Sequence, residues 1–191
     1  MYLEYFPTEG RQLGWIEVIC GSMFSGKTEE LIRRLKRAEF ANQKILLVKP
    51  KIDNRYAEKA VVSHKGSALE AHVIEKAAEV FDLLKHERIV AFDEAQFFDH
   101  DIVRVCTELA RKGVRVILAG LDMDYLGQPF GPMPELLCIA EYVTKVHAIC
   151  VSCGNLAYVS NRTVSEEGQV LVGAVEKYQP LCRTCYNKVA K

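Results

Sequence analysis

Neither sign of charge dominates this sequence. Lys+Arg and Asp+Glu each number 25, so no global field draws the chain to nucleic acid or to an anionic membrane. No apolar run approaches the ~20 residues that a membrane span needs. The opening stretch, MYLEYFPTEG, lacks the basic and then apolar order of a secretory signal, so the expected location is cytoplasmic. Internal repeats and low-complexity segments are missing as well. What is present is an ordinary globular composition, 49% hydrophobic and 26% charged over 191 residues. That length allows one good core with a small satellite domain.

Cysteine is the exception, with seven residues. Cys20, Cys106 and Cys138 each lie in an apolar stretch and read as buried thiols. The other four form two pairs near the C-terminus. Without a secretory signal, such pairs read as metal ligands before disulfides.

Apolar runs alternate with helical patterns along most of the chain. Strands are expected at residues 15–20, 45–48, 88–92, 114–119 and 142–148. Helices are expected after residue 28 (Leu31, Ile32, Leu35 and Ala38 at helical spacing), at 75–84, at 102–112 ending on Gly113, and near 135–140. Strands that are apolar throughout, separated by helices, predict a parallel α/β sheet covered on both faces. Ligands of such sheets sit beyond the carboxyl ends of the strands, where residues 21–28, Asp93 and Gly120 would gather. The alternation stops after about residue 149. The chain therefore divides into an α/β domain over 1–149 and a small turn-rich domain over 150–191.

Residues 21–28 read GSMFSGKT, a full match to G-x-x-x-x-G-K-[ST] between a strand and an amphipathic helix. Gly21 and Gly26 allow the turn whose N–H groups wrap a phosphate. Lys27 would reach the β- and γ-phosphates, and the Thr28 hydroxyl would ligate Mg²⁺. Such a loop calls for an acid at the end of a neighbouring apolar strand. In IVAFDEAQFF, Asp93 meets that requirement as a second magnesium ligand. Glu94 follows directly and suits either activation of water in an ATPase or removal of a proton from a substrate hydroxyl in a kinase.

Cys150-Val-Ser-Cys153 and Cys182-Arg-Thr-Cys185 are two C-x-x-C units 28 residues apart. Together they complete a tetrahedral thiolate shell with no open position, so a zinc there would be structural. Redox pairs and disulfides are the competing readings. The spacer exceeds the ~15–20 residues of ordinary ribbons, and its loop either closes over a ligand as a lid or packs as a plain hairpin.

Five motifs, MFSGKT, DEAQFF, GLDMDYLGQPF, VGAVEKY and CRTC, occur in that order. Together they resemble the thymidine kinases of the bacterial and vertebrate-cytosolic type, over about residues 15–186. The resemblance implies a P-loop (RecA-like) parallel-sheet domain and a zinc-binding domain carrying a lasso loop. It implies transfer of the γ-phosphoryl of ATP to the 5′-hydroxyl of thymidine, with deoxyuridine also accepted. Gly21, Ser22, Met23, Phe24, Ser25, Gly26, Lys27 and Thr28 would hold ATP, joined by Arg55, Asp93, Glu94, Ala95 and Gln96. Glu94 falls at the family's general base. Met23, Phe97, Leu121 and Tyr125 match pocket positions at the nucleoside, and Ser160 stands where the family commonly has Thr. The lasso residues Gln169, Val170, Leu171, Val172 and Gly173 would hydrogen-bond the thymine through their backbone, and Tyr178 would close the site. A homotetramer and feedback by dTTP are further implications, with no nucleic-acid or membrane partner. The competing function is a P-loop ATPase whose zinc ribbon grips nucleic acid. It needs a basic face, and Glu166, Glu167 and Glu176 offset Arg162, Lys177, Arg183 and Lys188. A bare zinc-ribbon interaction module conflicts with the intact octet.

Overall fold

The computed structural model of the chain describes residues 14–51, 60–62, 68–164 and 177–189. Strand β1 (Trp15–Cys20) leads into helix α1 (Lys27–Phe40) and then β2 (Ile45–Pro50). After the short antiparallel pair β3 (Ala60–Val62) and β4 (Ala68–Glu70) come β5 (His72–Ile74), α2 (Val80–Leu83) and β6 (Ile89–Phe92). Helix α3 (Ile102–Arg111), β7 (Arg115–Gly120), α4 (Met133–Ile139) and β8 (Tyr142–Lys145) complete the main sheet. Its order is β5-β2-β6-β7-β1-β8, and every neighbouring pair is parallel. Beyond it lie the antiparallel pair β9 (Val159–Arg162) and β10 (Tyr178–Leu181), then helix α5 (Arg183–Val189). Among the described residues no helix is long and apolar enough to cross a membrane.

The two-residue period of a strand sorts the apolar side chains onto two faces. Val18, Val48, Val90, Phe92, Val116 and Leu118 pack with Val105, Cys106 and Leu109 of α3 and Met133 and Leu136 of α4. Ile19, Leu47, Ala91, Ile117 and Ala119 pack with Leu31, Ile32, Leu35 and Ala38 of α1. The sheet is thus buried on both sides, as its unbroken apolar strands require. Burial of each leucine or isoleucine contributes about 1.5–3 kcal/mol, well above any helix propensity. Glu29 and Glu30 in the first turn of α1 and Arg37 in the last complement its dipole.

Three readings change. The helix expected over 75–84 is a 3₁₀ turn at Ala77–Glu79 followed by the single turn of α2. The sheet edge overrides local propensity here. Pro50 pairs with Ile74, Ile74 O accepts from the Lys51 N–H at 3.0 Å, and Lys76 is still extended. The last strand stops at Lys145 rather than 148, because Ala148 O accepts from Ala157 N–H in the C-terminal part. Cys138 is exposed, since Met133 and Leu136 take the core-facing side of α4. Cys20 and Cys106 are buried as expected, and burial pushes the Cys20 thiol up to about 11.

A charge inside an apparently apolar strand is the main surprise. Glu17 of β1 is 0% exposed on the α1 face. Its Oε2 accepts from Arg34 Nη1 at 2.6 Å; its Oε1 accepts from Arg115 Nε at 2.6 Å and Trp15 Nε1 at 2.7 Å. Arg34 also donates to Thr144 of β8 at 2.9 Å, so one carboxylate ties α1, β1, β7 and β8. Burial works to raise its pKa, yet the Arg115 hydrogen bond and charge, with Trp15 and Arg34, outweigh this and hold the group below its ordinary 4.5.

Glu17→Gln should therefore lower the unfolding free energy by about 3 kcal/mol, the low end for breaking a buried pair because both arginines keep some contact with water. The wild-type contribution is fully present above the ordinary carboxylate value and lost as pH falls through the lowered pKa. Urea midpoints at neutral pH and in acid check this: the gap between wild type and variant should close in acid, and equal midpoints at pH 7 would refute it.

Candidate active site

The loop after β1 folds as a phosphate cradle. Gly21 has φ 141°, and a Cβ there would collide with the Val146 carbonyl; Gly26 sits at φ 84° as the N-cap of α1. Phe24 adopts φ 65° without being glycine, strain of order 1–3 kcal/mol that gathers at functional turns. The Ser22 carbonyl accepts from Lys27 Nζ at 2.8 Å and from Ser25 Oγ at 2.7 Å. Lys27 and Thr28 open the first turn of α1, whose N–H groups and dipole face the loop.

Asp93 and Glu94 follow β6, two strands from the loop. Asp93 is buried, and its N–H donates to Val48 O at 3.0 Å. Glu94 stands in the left-handed region at φ 52°, ψ 46°, ahead of a 3₁₀ turn, Ala95–Phe97. Gln96 sets the direction of its carboxylate. The Leu121 N–H donates to Gln96 Oε1 at 2.9 Å, which leaves Gln96 Nε2 to donate to Glu94 Oε2 at 2.6 Å. Gln96 is 3% exposed, so this bridge forms in a low dielectric, where it is strong.

Leu121 leaves β7 into a tightly tied loop. Asp124 Oδ1 accepts from the N–H groups of Leu126 at 2.9 Å and Gln128 at 3.0 Å, and Phe130 N–H donates to Asp122 O at 3.2 Å. Tyr125 rides at the tip. The Tyr186 hydroxyl donates to the Tyr125 carbonyl at 3.0 Å, while burial first, then Tyr158, Asp124 and Tyr125, push that phenol's pKa up and keep it a donor. Phe97 meets Phe130 edge to face at 5.6 Å. Lys145 Nζ pairs with Asp122 Oδ2 at 2.7 Å.

Strand β9 joins the C-terminal part to this cluster. Buried Ser160 accepts from the Met23 N–H at 2.8 Å, so β9 and the phosphate loop touch. Arg162 lies over the Tyr125 ring at 3.6 Å and is the register partner of Tyr178. Met23, Tyr125, Ser160 and Tyr178 thus share one neighbourhood. Arg55 and the lasso residues 169–173 lie outside the described residues.

Cys150, Cys153, Cys182 and Cys185 place their sulfurs within 4.8 Å of one another, with Cys153 and Cys182 at 3.6 Å. A zinc–sulfur bond of about 2.3 Å implies tetrahedral edges of about 3.8 Å, so the donor set fits a metal ion such as zinc. Backbone N–H groups of Cys182, Ser152 and Cys153 pull the Cys150 thiol down to about 6, and Asn155 lowers Cys153. Hydrogen bonding with Cys153 and Cys182 pushes Cys185 up to about 12. Four thiols this close ionise together only around a cation. The cluster continues into a small apolar core of Ala148, Ala157, Val159, Leu181 and Tyr186.

Sequence reasoning missed the bridging role of Gln96, the Tyr186 hydroxyl and the stacking of Arg162 and of Arg183, which covers Tyr158 at 4.2 Å. In the sequence the two arginines read only as surface charge. Periodicity could not find them, because each meets an aromatic far away in the chain.

A strand, a G-x-x-x-x-G-K-[ST] turn and a helix N-terminus, with an acid pair two strands away, define a P-loop nucleotide-binding protein of the parallel α/β class. The family model described as thymidine kinase matches residues 14–186. The chain belongs to the thymidine kinase family. It is 56% identical to the thymidine kinase of Bacteroides thetaiotaomicron over 97% of this chain and 94% of that protein. It is 53% identical to that of Rhodothermus sp. over 93% of this chain and 83% of the relative. Among solved structures, the Legionella pneumophila ATPase DotB shares 17% identity over 68% of this chain and 35% of its own, at a TM-score of 0.41, too slight a likeness to bear on the assignment.

Replacement of Cys153 by Ser should reduce bound metal, measured by atomic absorption, from about one ion per chain to near zero and lower the melting temperature. Full metal content in the variant would show that the cluster is not the site.

Proposed function

We propose that the enzyme transfers the γ-phosphoryl group of ATP to the 5′-hydroxyl of thymidine, giving dTMP and ADP, and accepts deoxyuridine as well. Family membership supports the reaction. The observation that carries the mechanism is the Glu94 carboxylate, aimed by Gln96 at the carboxyl edge where the phosphate loop also opens. Phosphoryl transfer needs positioning and charge neutralisation more than covalent help from the protein. Residues 21–28 wrap the triphosphate, and Lys27 exchanges its Ser22 carbonyl partner for phosphate oxygens. Thr28 and Asp93 would hold Mg²⁺, which would supply charge neutralisation on the transferring group. Glu94 takes the proton of the 5′-hydroxyl, with its carboxylate oriented by Gln96. Arg55 adds positive charge near the phosphates.

Met23, Phe97, Leu121, Tyr125 and Ser160 form the nucleoside pocket, with residues 169–173 and Tyr178 closing it. Buried polar groups that pair with the thymine edge reject cytosine by roughly 10⁴-fold, whereas the 5-methyl contact is worth about 1–3 kcal/mol. The four cysteines would hold a structural zinc that anchors both ends of the lasso, and the chain would divide at about residue 149 into a nucleotide-binding part and a nucleoside-closing part. The same reading makes the protein a cytoplasmic homotetramer under dTTP feedback.

Glu94→Gln should keep ATP and thymidine binding by calorimetry while turnover falls about 10²–10⁴-fold. Turnover near wild type would remove Glu94 as the base. Failure of the wild-type protein to release ADP in response to thymidine would overturn the reaction itself.

A further inference from the structure

Tyr125 depends on a partner that no motif names. Its backbone is pinned by the Tyr186 hydroxyl and by the Asp124 turn, but its half-buried ring stands at a loop tip, where backbone restraint leaves the side-chain torsions free. The Arg162 guanidinium carbon lies 3.6 Å from the ring centroid, a separation that a planar guanidinium reaches face-on. Residues 160 and 162 of β9 share a face, and Ser160 on that face touches the phosphate loop through Met23 N–H. Tyr178 stands opposite Arg162 in the β9–β10 register. Arg162 therefore enters the nucleoside neighbourhood on the same strand face as Ser160.

We propose that Arg162 is a positioning residue for the acceptor nucleoside, stacking on one face of Tyr125 and so holding the opposite face toward the base. The inference rests on the reading of Tyr125 as the aromatic that packs on thymine. Thymine is neutral at physiological pH, so the cation serves the aromatic ring and not the ligand's charge. Arginine suits this role because its plane covers the ring while its charge meets the negative π-face; lysine offers the charge alone. The arrangement also couples the C-terminal part to the pocket, because β9 is held through β10 to the cysteine cluster.

Steady-state kinetics with thymidine and ATP varied separately test this. Arg162→Ala should raise the thymidine KM about five- to tenfold, with kcat and the ATP KM within about twofold, as expected for loss of one stacking partner. Arg162→Lys should fall between wild type and Arg162→Ala. In a Tyr125→Ala background the Arg162→Ala change should add less than about twofold, since coupled residues lose their shared effect once. A thymidine KM within twofold of wild type in Arg162→Ala, while Tyr125→Ala raises it, would overturn the inference alone. So would a parallel rise in the ATP KM with a lowered melting temperature, or a wild-type KM in Arg162→Lys, which would assign the role to charge. An unchanged KM in Tyr125→Ala would overturn the pocket assignment itself, and this inference with it.

Discussion

Strands β6, β7 and β1 lie side by side with their carboxyl ends on one edge, Phe92 against Leu118 and Cys20 against Gly120. A parallel ladder cannot slip by one residue without turning every buried valine and isoleucine to the wrong face. The register therefore holds three otherwise unrelated loops, 21–26, 93–97 and 121–130, at fixed separation. Phosphoryl transfer depends on that separation, because its catalysis is largely a matter of where charges sit. Glu17 ties the same strands together nearer their amino ends, joining β1 to α1, β7 and β8 through hydrogen bonds with Arg34 and Arg115.

The acid turn shows how strain and hydrogen bonding act together. Glu94 occupies a left-handed conformation that a free chain would leave. It stays there because the turn is closed by Phe97 N–H to Glu94 O at 3.0 Å and because Gln96 bridges the carboxylate to β7. A carboxylate directed by its neighbours loses little entropy in meeting a substrate hydroxyl. The phosphate loop carries comparable strain at Phe24, so both turns at this edge of the sheet are built outside the easy backbone regions.

Among the described residues, the C-terminal part meets the phosphate loop and the loop after β7 through Ser160 with Met23, Arg162 with Tyr125, and Tyr186 with the Tyr125 carbonyl. Its own core is small, and a segment of this size seldom holds itself together by apolar burial alone. The four cysteines can supply the missing constraint by holding a metal ion, since metal binding is itself folding free energy. A metal ion held there would steady the segment that supports Tyr125.

Local chemistry determined much of this protein. The octet, the acid pair after β6 and the paired cysteines were legible in residue type and spacing, because phosphate loops and tetrahedral metal sites are built from short-range geometry, whereas spacing left the use of Glu94 open between two chemistries. The apolar period likewise placed β1, β2, β6 and β7 and helices α1 and α3. Tertiary structure decided what depends on distant partners. A buried Glu17 is tolerated only where two arginines from other elements converge, and Ile74 becomes an edge strand only because β2 offers a ladder. Gln96 orients Glu94 only because Leu121 presents an N–H 25 residues away. Arg162 looks like a solvated charge until folding lays it on Tyr125. Periodicity reports which face a residue takes, and long-range packing alone decides what it meets there.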